Sequence, residues 1–210
     1  MNRSAGPDNP SETPSPEGPA SSAAAPSPAS PPSPATAGDG TSRDGRQRVY
    51  RWGDPSVSAA AARDLDGITF FREILAGRLP APPIMDTLGF NAVSFGPGRA
   101  VFELTPTEYQ YNPIGSVHGG VYATLLDSAC GCAVHTMLPA GVHYTSLDLS
   151  VRFLRPITSA TGRLVCEGTV DHLGTRTALA QARLTSEDGK LFGQATSSCM
   201  IFRPTGTGRA

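Results

Sequence analysis

The sequence lacks the features that mark membrane, secreted and disulfide-rich proteins. No run of about 18 apolar residues occurs, so no membrane-spanning helix is expected. The N-terminus has no apolar stretch behind a positive end, so no secretory signal is expected. Only 4 cysteines occur, without a CxxC pair, and we expect reduced core thiols instead of disulfides or a metal site. These absences favour a cytoplasmic protein.

The first 45 residues lack aromatic side chains, isoleucine, leucine and valine, and half of the chain's 20 prolines precede residue 35. A segment of this composition cannot bury enough apolar surface to offset its loss of conformational entropy. Residues 1–60 are therefore predicted to be a disordered tail, and residues 61–205 to form one domain of ordinary size. The net charge of −1 and the balanced charges of the tail argue against a basic arm that binds nucleic acid or membranes.

The central stretch of the domain predicts one helix that has no charged face. The segment 121–138 is almost entirely apolar or small. Its polar residues are Thr124, Asp127, Ser128, His135 and Thr136. A surface helix would carry a charged face, so we expect protein to surround this helix on most sides. Because an unpaired buried carboxylate is costly, Asp127 is a candidate functional residue.

Strand patterns flank this helix on both sides. The predicted strands are 87–95, 99–104, 147–153, 162–171, 176–185 and 191–202. A helix capped by Asp66 is predicted at 67–76, and Pro80, Pro82 and Pro83 predict an extended strap after it. Short loops favour antiparallel pairing, so we expect an α+β fold with one helix across a curved antiparallel sheet. The open sheet edges invite association with a second copy.

The predicted start of the central helix carries the sequence His118-Gly119-Gly120. The first backbone N–H groups of a helix have no partner within the helix, and the helix dipole adds partial positive charge there. Glycine leaves room for close approach, so this turn suits a developing oxyanion. The alternative is a loop that needs glycine only for its backbone angles.

Asp127 lies eight residues beyond Gly119, which corresponds to roughly 12 Å of helical rise. One chain therefore cannot bring both groups to the same substrate atom. A two-fold dimer with neighbouring helices would bring the glycine turn of one copy to Asp127 of the other. The alternative is a carboxylate satisfied locally by the hydroxyl of Thr124 or Ser128.

The segment YNPIGSVHGGVYATLLDSACGCAV resembles the signature of the hotdog-fold thioesterases, in particular the PaaI-type (phenylacetic-acid-pathway-like) acyl-CoA thioesterases. The matching residues are Asn112, Gly115, His118, Gly119, Gly120 and Asp127. The segment YTSLDLSVRFLRPI and the final hairpin also resemble this family, so the resemblance covers about residues 65–202. It implies a hotdog fold and hydrolysis of acyl-CoA to a free acid and CoA.

The resemblance also implies a role for each residue. The N–H of Gly119 would bind the thioester carbonyl, and Asn112 and His118 would shape the turn. Asp127 of the facing subunit would act as general base or as nucleophile, with help from the Ser146 hydroxyl. Because CoA carries phosphates, cations should line its path. The residues implied to bind substrate or CoA are Gly120, Thr145, Arg155, Gly174, Thr175 and Arg176, although either arginine could be an ordinary surface residue.

The family implies a homodimer or homotetramer with sites at the dimer interface, and neither a metal nor a cofactor beyond the CoA of the substrate. One alternative is a non-catalytic acyl-CoA-binding or regulatory hotdog protein. Another is a hydratase, but its pattern of Asp followed by His five residues later is absent, because Cys132 follows Asp127 at that spacing. His118 as the base is a further alternative. The side chains that suggest a medium apolar or arylacetyl substrate are Phe70, Phe71, Ile84, Met85 and Tyr122.

Overall fold

A computed structural model describes residues 45–203. The helices are α1 (Pro55–Asp64), α2 (Gly67–Leu75), α3 (Pro83–Leu88) and α4 (Gly119–His135), with single 3-10 turns at Glu108–Gln110 and Ser159–Thr161. The strands are β1 (Phe90–Gly96), β2 (Arg99–Leu104), β3 (His143–Ser146), β4 (Ser150–Phe153), β5 (Leu164–Leu173), β6 (Thr177–Ser186) and β7 (Leu191–Phe202). They form one antiparallel sheet in the order β1-β2-β5-β6-β7-β3, and β4 also pairs with β7.

Helix α4 lies inside the sheet and contacts all seven strands, so the sheet curves around it. The predicted α+β hotdog arrangement is thereby confirmed. Small residues allow this close packing: Ala178, Ala180 and Ala182 of β6 are buried on the face towards the helix. Gly168 of β5 is the tightest point, because a Cβ there would lie 2.1 Å from the carbonyl oxygen of Ala129.

Helix α2 closes one end of the core. Asp66 caps it as predicted, accepting a hydrogen bond of 3.0 Å from the N–H of Thr69. The ring of Phe71 stacks on Phe95 of β1 at 4.2 Å between centroids, and the backbone N–H of Gly67 donates to the carbonyl of Leu138 at 3.0 Å. Burial of this apolar face holds α2 against the sheet and the end of α4.

Two predicted elements differ from the structure before β2. The prolines do not continue as an extended strap, because helix α3 begins at Pro83 and ends at Leu88, and Gly89 follows it with a φ of 74°. Proline suits the first helical position and glycine the left-handed position after the last turn. The strand predicted from residue 87 consequently begins only at Phe90.

Two further differences lie after α4. The helix ends at His135 and not near Leu138, because Thr136 caps the last turn through a 2.6 Å hydrogen bond from its hydroxyl to the carbonyl of Ala133. The strand predicted at 147–153 begins only at Ser150, as β4, and strand β3 at His143–Ser146 has no counterpart in the sequence prediction. Between the two strands, the backbone carbonyl of Asp148 accepts a hydrogen bond from the Ser197 hydroxyl of β7 at 2.8 Å.

The predicted tail is revised at its end. Residues 1–44 of that prediction lie outside the described residues, but α1 occupies Pro55–Asp64 and begins before residue 60. Among residues 45–203, all four cysteines are free thiols, as expected. Within the same range, no helix is long and apolar enough to cross a membrane.

Candidate active site

The first turn of α4 presents an unused backbone N–H. His118 caps the helix: its Nδ1 accepts from the N–H of Gly120 at 2.9 Å, and its carbonyl accepts from the N–H of Val121 at 2.9 Å. The N–H of Gly119 has no acceptor within residues 45–203. Because the His118 Nδ1 accepts a hydrogen bond, this ring serves as a helix cap, which disfavours its alternative role as a base.

Asn112 fixes the loop that leads into this turn. Its Oδ1 accepts from the N–H groups of Ile114 and Ser116 at 3.0 and 3.2 Å, and its backbone N–H donates to the Ser116 carbonyl at 2.7 Å. Gly115 completes the loop at φ 83°, an angle that favours glycine. Asn112 therefore shapes the backbone before the helix, in the manner that the resemblance implies.

Asp127 points towards strand β3. Its Oδ1 accepts a hydrogen bond of 3.1 Å from the Ser146 hydroxyl, and the carboxylate is half-buried. The neighbouring Thr145 lies on the opposite face of the strand, because side chains alternate along a strand. The local alternative fails for Thr124, whose hydroxyl donates to the Gly120 carbonyl at 2.9 Å. The structure thus pairs Asp127 with Ser146, which is remote in sequence.

The catalytic candidates of one chain form two separate groups. Gly119 is the first residue of α4, and Asp127 lies eight residues later on the same straight element, so roughly 12 Å of helical rise separates them. Asp127 and Ser146 form one group, and the glycine turn with Asn112 forms the other. No single atom of a substrate can contact both groups of the same chain.

Two cavities border the glycine turn. The first, here called the Gly119 cavity, has a volume of about 320 Å³, and Arg155 lines it with Gly119. The second, here called the Ile84 cavity, has a volume of about 470 Å³ and meets the turn at His118 and Gly120. The amide of Gly119 therefore lies beside space that a ligand can fill.

The predicted CoA-binding residues do not converge in one chain. Arg155 follows β4, and its guanidinium donates to the carbonyl of Leu191, the first residue of β7. Arg176, with Gly174 and Thr175, forms the turn between β5 and β6, and the carbonyl of Arg176 accepts from the N–H of Ile201 at the far end of β7. About 30 Å of strand separates the two arginines. The assignment of both arginines to CoA binding therefore stays a prediction, which requires residues of two chains to meet at the dimer interface.

Phe153 and Tyr122 line the Gly119 cavity. The sequence analysis connects Tyr122 with an apolar substrate and assigns no site role to Phe153. A Cβ on Gly119 would lie 3.2 Å from the Phe153 ring, so the glycine packs closely against this ring. Tyr122 packs against Phe153 at 5.5 Å and donates to the Arg155 carbonyl at 3.2 Å, and burial raises the pKa of Tyr122 to about 12. Phe153 belongs to the strand predicted at 147–153, whose alternating apolar residues are expected to face the core. Its side chain is nevertheless 56% exposed.

The comparisons with known proteins give the family. The model of the Thioesterase superfamily matches residues 114–192, which include the glycine turn, Asp127 and Ser146. A crystal structure of a phenylacetic acid degradation-related protein from Ralstonia eutropha JMP134 is 30% identical and has a TM-score of 0.56, and the match covers 62% of this chain and 98% of that chain. This chain belongs to the thioesterase superfamily. The family prediction is therefore confirmed, and with it the broad class of thioester hydrolase.

Two curated proteins are similar to this chain over shorter segments. A protein of Halobacterium salinarum named as an esterase is 41% identical over 69 residues, which cover 32% of this chain and only 44% of that protein. The 1,4-dihydroxy-2-naphthoyl-CoA hydrolase of Listeria monocytogenes is 26% identical over 118 residues, which cover 56% of this chain and 93% of that protein. Both similarities agree with the assignment to the thioesterase superfamily.

Proposed function

We propose that this member of the thioesterase superfamily hydrolyses an acyl-CoA thioester to a free carboxylic acid and CoA, at a site shared between two copies of the chain. The observation that carries the proposal is the pairing of Asp127 with Ser146 on α4 and β3, together with the unused N–H of Gly119 on a separate end of the helix. The name of the Listeria relative supports a CoA thioester as the substrate class.

The chemistry follows from the two groups. The Gly119 N–H would donate to the thioester carbonyl and stabilise the negative charge that develops on its oxygen. Asp127 of the other copy would take a proton from water as the water oxygen bonds to the carbonyl carbon. Alternatively, Asp127 would itself attack that carbon, and water would hydrolyse the resulting anhydride to the free acid after the CoA thiolate has left. The C–S bond then breaks, and the CoA sulfur leaves as a thiolate that takes up a proton. The Ser146 hydroxyl would hold the carboxylate in position.

The free edge of the sheet supports a shared site. Strands β3 and β4 pair with β7 on one side, and no strand among residues 45–203 pairs with their other side. Thr145, Ser146 and Leu147 are exposed along this edge, and Leu147 is 53% exposed. An unpaired edge with exposed apolar side chains favours association, and a two-fold axis there would present each Asp127 to a second copy.

The proposal is tested by Asp127→Asn in a thiol-release assay with purified protein and acyl-CoA. We expect kcat of Asp127→Asn to be lower than that of the parent by roughly 100-fold or more, which is the range for loss of a general base. The kcat of Ser146→Ala should fall by a smaller factor. Asp64→Asn on α1 is the matched control and should retain full activity. Activity of Asp127→Asn within threefold of the parent would contradict the proposed mechanism. A parent chain that binds CoA without turnover would favour a binding protein instead.

A further inference from the structure

The Ile84 cavity differs chemically from the Gly119 cavity. Aspartate, glutamate, lysine and arginine are all absent from its lining, which is formed in part by Ile84, Leu88, Tyr109 and Val121. Arg155, in contrast, lines the Gly119 cavity. A volume of about 470 Å³ lies within the range of small-molecule sites. The Ile84 cavity therefore suits the apolar acyl group, and the Gly119 cavity suits the side of the substrate that leads to CoA.

The outer wall of the Ile84 cavity is helix α3, which is only six residues long and has no fully buried residue. Such a short helix gains little from packing, and its last carbonyl groups need partners outside the helix. The structure provides one for each. The N–H of Gly89 donates to the Met85 carbonyl, and the Gln110 side-chain amide donates to the Leu88 carbonyl at 2.6 Å. The Arg48 guanidinium donates to the carbonyls of Asp86 and Thr87.

Arg48 belongs to the segment that precedes α1 and is remote in sequence from α3. Its Nη1 donates to the Thr87 carbonyl at 2.6 Å and its Nη2 donates to the Asp86 carbonyl. The same guanidinium lies over the ring of Tyr109, 4.1 Å from its centroid, and Tyr109 also lines the cavity. One planar cation thus joins the end of α3 to Tyr109, which a lysine ammonium cannot do with the same geometry.

The wall is also connected to the glycine turn. The carbonyl of Gln110 accepts from the N–H of His118 at 2.8 Å, while the Gln110 side chain holds the end of α3. Helix α1 contacts the chain just before α3 as well, because the Ser58 hydroxyl of α1 donates to the Pro80 carbonyl at 2.6 Å. Arg48 and α1 therefore contact both ends of the chain that forms the cavity wall.

We infer that Arg48 is a positioning residue that holds α3 as the wall of an acyl-binding cavity, and that this cavity selects medium apolar or aryl acyl groups. The inference rests on the proposed hydrolysis of acyl-CoA. Without Arg48, the end of α3 loses two charged hydrogen bonds and one stacking contact, so the wall opens towards solvent. Large acyl groups that contact the wall lose affinity, whereas an acetyl group at the glycine turn does not reach it.

The test compares kcat and KM of Arg48→Gln with those of the parent on octanoyl-CoA, phenylacetyl-CoA and acetyl-CoA. We expect Arg48→Gln to have roughly a tenfold lower kcat/KM on the two large substrates, mainly because KM rises. A tenfold change corresponds to the free energy of one charged hydrogen bond. Acetyl-CoA should change less than twofold, and Arg48→Lys should recover part of the loss. Arg51→Gln is the matched control, because Arg51 is exposed and has no hydrogen bond or ion pair within residues 45–203.

Equal kinetics for Arg48→Gln and the parent on all three substrates would overturn the inference, as would an equal loss on all three. Amide hydrogen exchange gives a second readout that does not require activity. Exchange at residues 86–89 should accelerate in Arg48→Gln and stay unchanged in Arg51→Gln, and unchanged exchange in both would overturn the inference. A parent without turnover on the whole panel would instead refute the proposed function, and the exchange result would then decide the role of Arg48 alone.

Discussion

His135 should make the stability of this domain depend on pH. The side chain lies at the end of α4, is 9% exposed, and packs among the rings of Phe70, Phe71 and Tyr144 at 5.4, 5.2 and 5.6 Å. Burial, with a smaller contribution from the nearby charge of His143, lowers the pKa of His135 from 6.5 to about 4. The folded protein therefore keeps this ring neutral over a pH range in which the unfolded chain protonates it.

The direction and size of the effect follow from linkage. A folded pKa below the unfolded pKa means that the unfolded state binds the extra proton, so the free energy of unfolding falls as the pH falls from 6.5 towards 4. The loss reaches about 3 kcal/mol near pH 4, a large part of the stability of an ordinary domain. Above pH 6.5 this contribution is constant.

The assay is urea unfolding followed by circular dichroism between pH 7.5 and pH 4, on the parent and on His135→Met. Carboxylates titrate in both proteins, so the difference between the two curves isolates His135. We expect the parent to lose about 3 kcal/mol more than the variant over this range. His172→Asn, at an exposed position of β5, should keep the slope of the parent. Parallel curves for the parent and His135→Met would refute the assigned pKa and its cause.

Two other predictions test the packing of α4. Gly168→Ala places a Cβ 2.1 Å from the Ala129 carbonyl oxygen and should lower the free energy of unfolding by about 1–3 kcal/mol or more, measured by urea unfolding. Gly96→Ala, where a Cβ meets nothing within 4 Å, should change it by less than about 0.5 kcal/mol, and equal effects would contradict the packing. Burial raises the pKa of Cys130 to about 12, so iodoacetamide at pH 8 should label this thiol only after unfolding, as read by peptide mass spectrometry. Rapid labelling of the native protein would contradict its burial.

The parts of the fold that the sequence predicts well are those in which a local signal agrees with the tertiary packing. The hairpin signal before residue 191 predicts strand β7 with its observed bounds, and the Asp66 cap predicts the start of α2. The absence of charge along α4 predicts a helix surrounded by protein. In each case the pattern reports directly on burial or on a local hydrogen bond.

Other elements depend on contacts between residues that are distant in sequence. The alternation of 147–153 predicts a strand from residue 147, but β4 begins only at Ser150, and Asp148 before it accepts hydrogen bonds from Ser197 and Ser198 of β7. Helix α3 has a local signal, Pro83 at its first position and Gly89 after its end, which the run of prolines obscures. A signal that requires a partner strand cannot be read from one segment.

The candidate site divides in the same way. The family resemblance predicts the residues of the glycine turn and the pairing of Asp127 with Ser146, because these lie in a recognisable motif. It does not predict Arg48, whose role arises only when a segment outside the motif folds against α3. The assignment of Arg155 and Arg176 to CoA binding stays a prediction, because β7 separates the two within one chain and only a second copy could bring them together.

The central claim is that the amide of one chain and the carboxylate of another complete a single site. Gly119→Pro removes the amide hydrogen at the first helical position, which accepts proline, and the extended backbone of His118 is compatible with a following proline. Asp127→Asn removes the base. Each variant alone should be inactive in the thiol-release assay.

The decisive measurement is the activity of these two variants after they are unfolded together in equal amounts and refolded, with the refolded parent as control. In random pairing, half of the dimers contain one chain of each kind, and each such dimer has one intact site of two. We predict about a quarter of the activity of the refolded parent. A mixture as inactive as either variant alone, while the refolded parent is active, would contradict a site built from two chains.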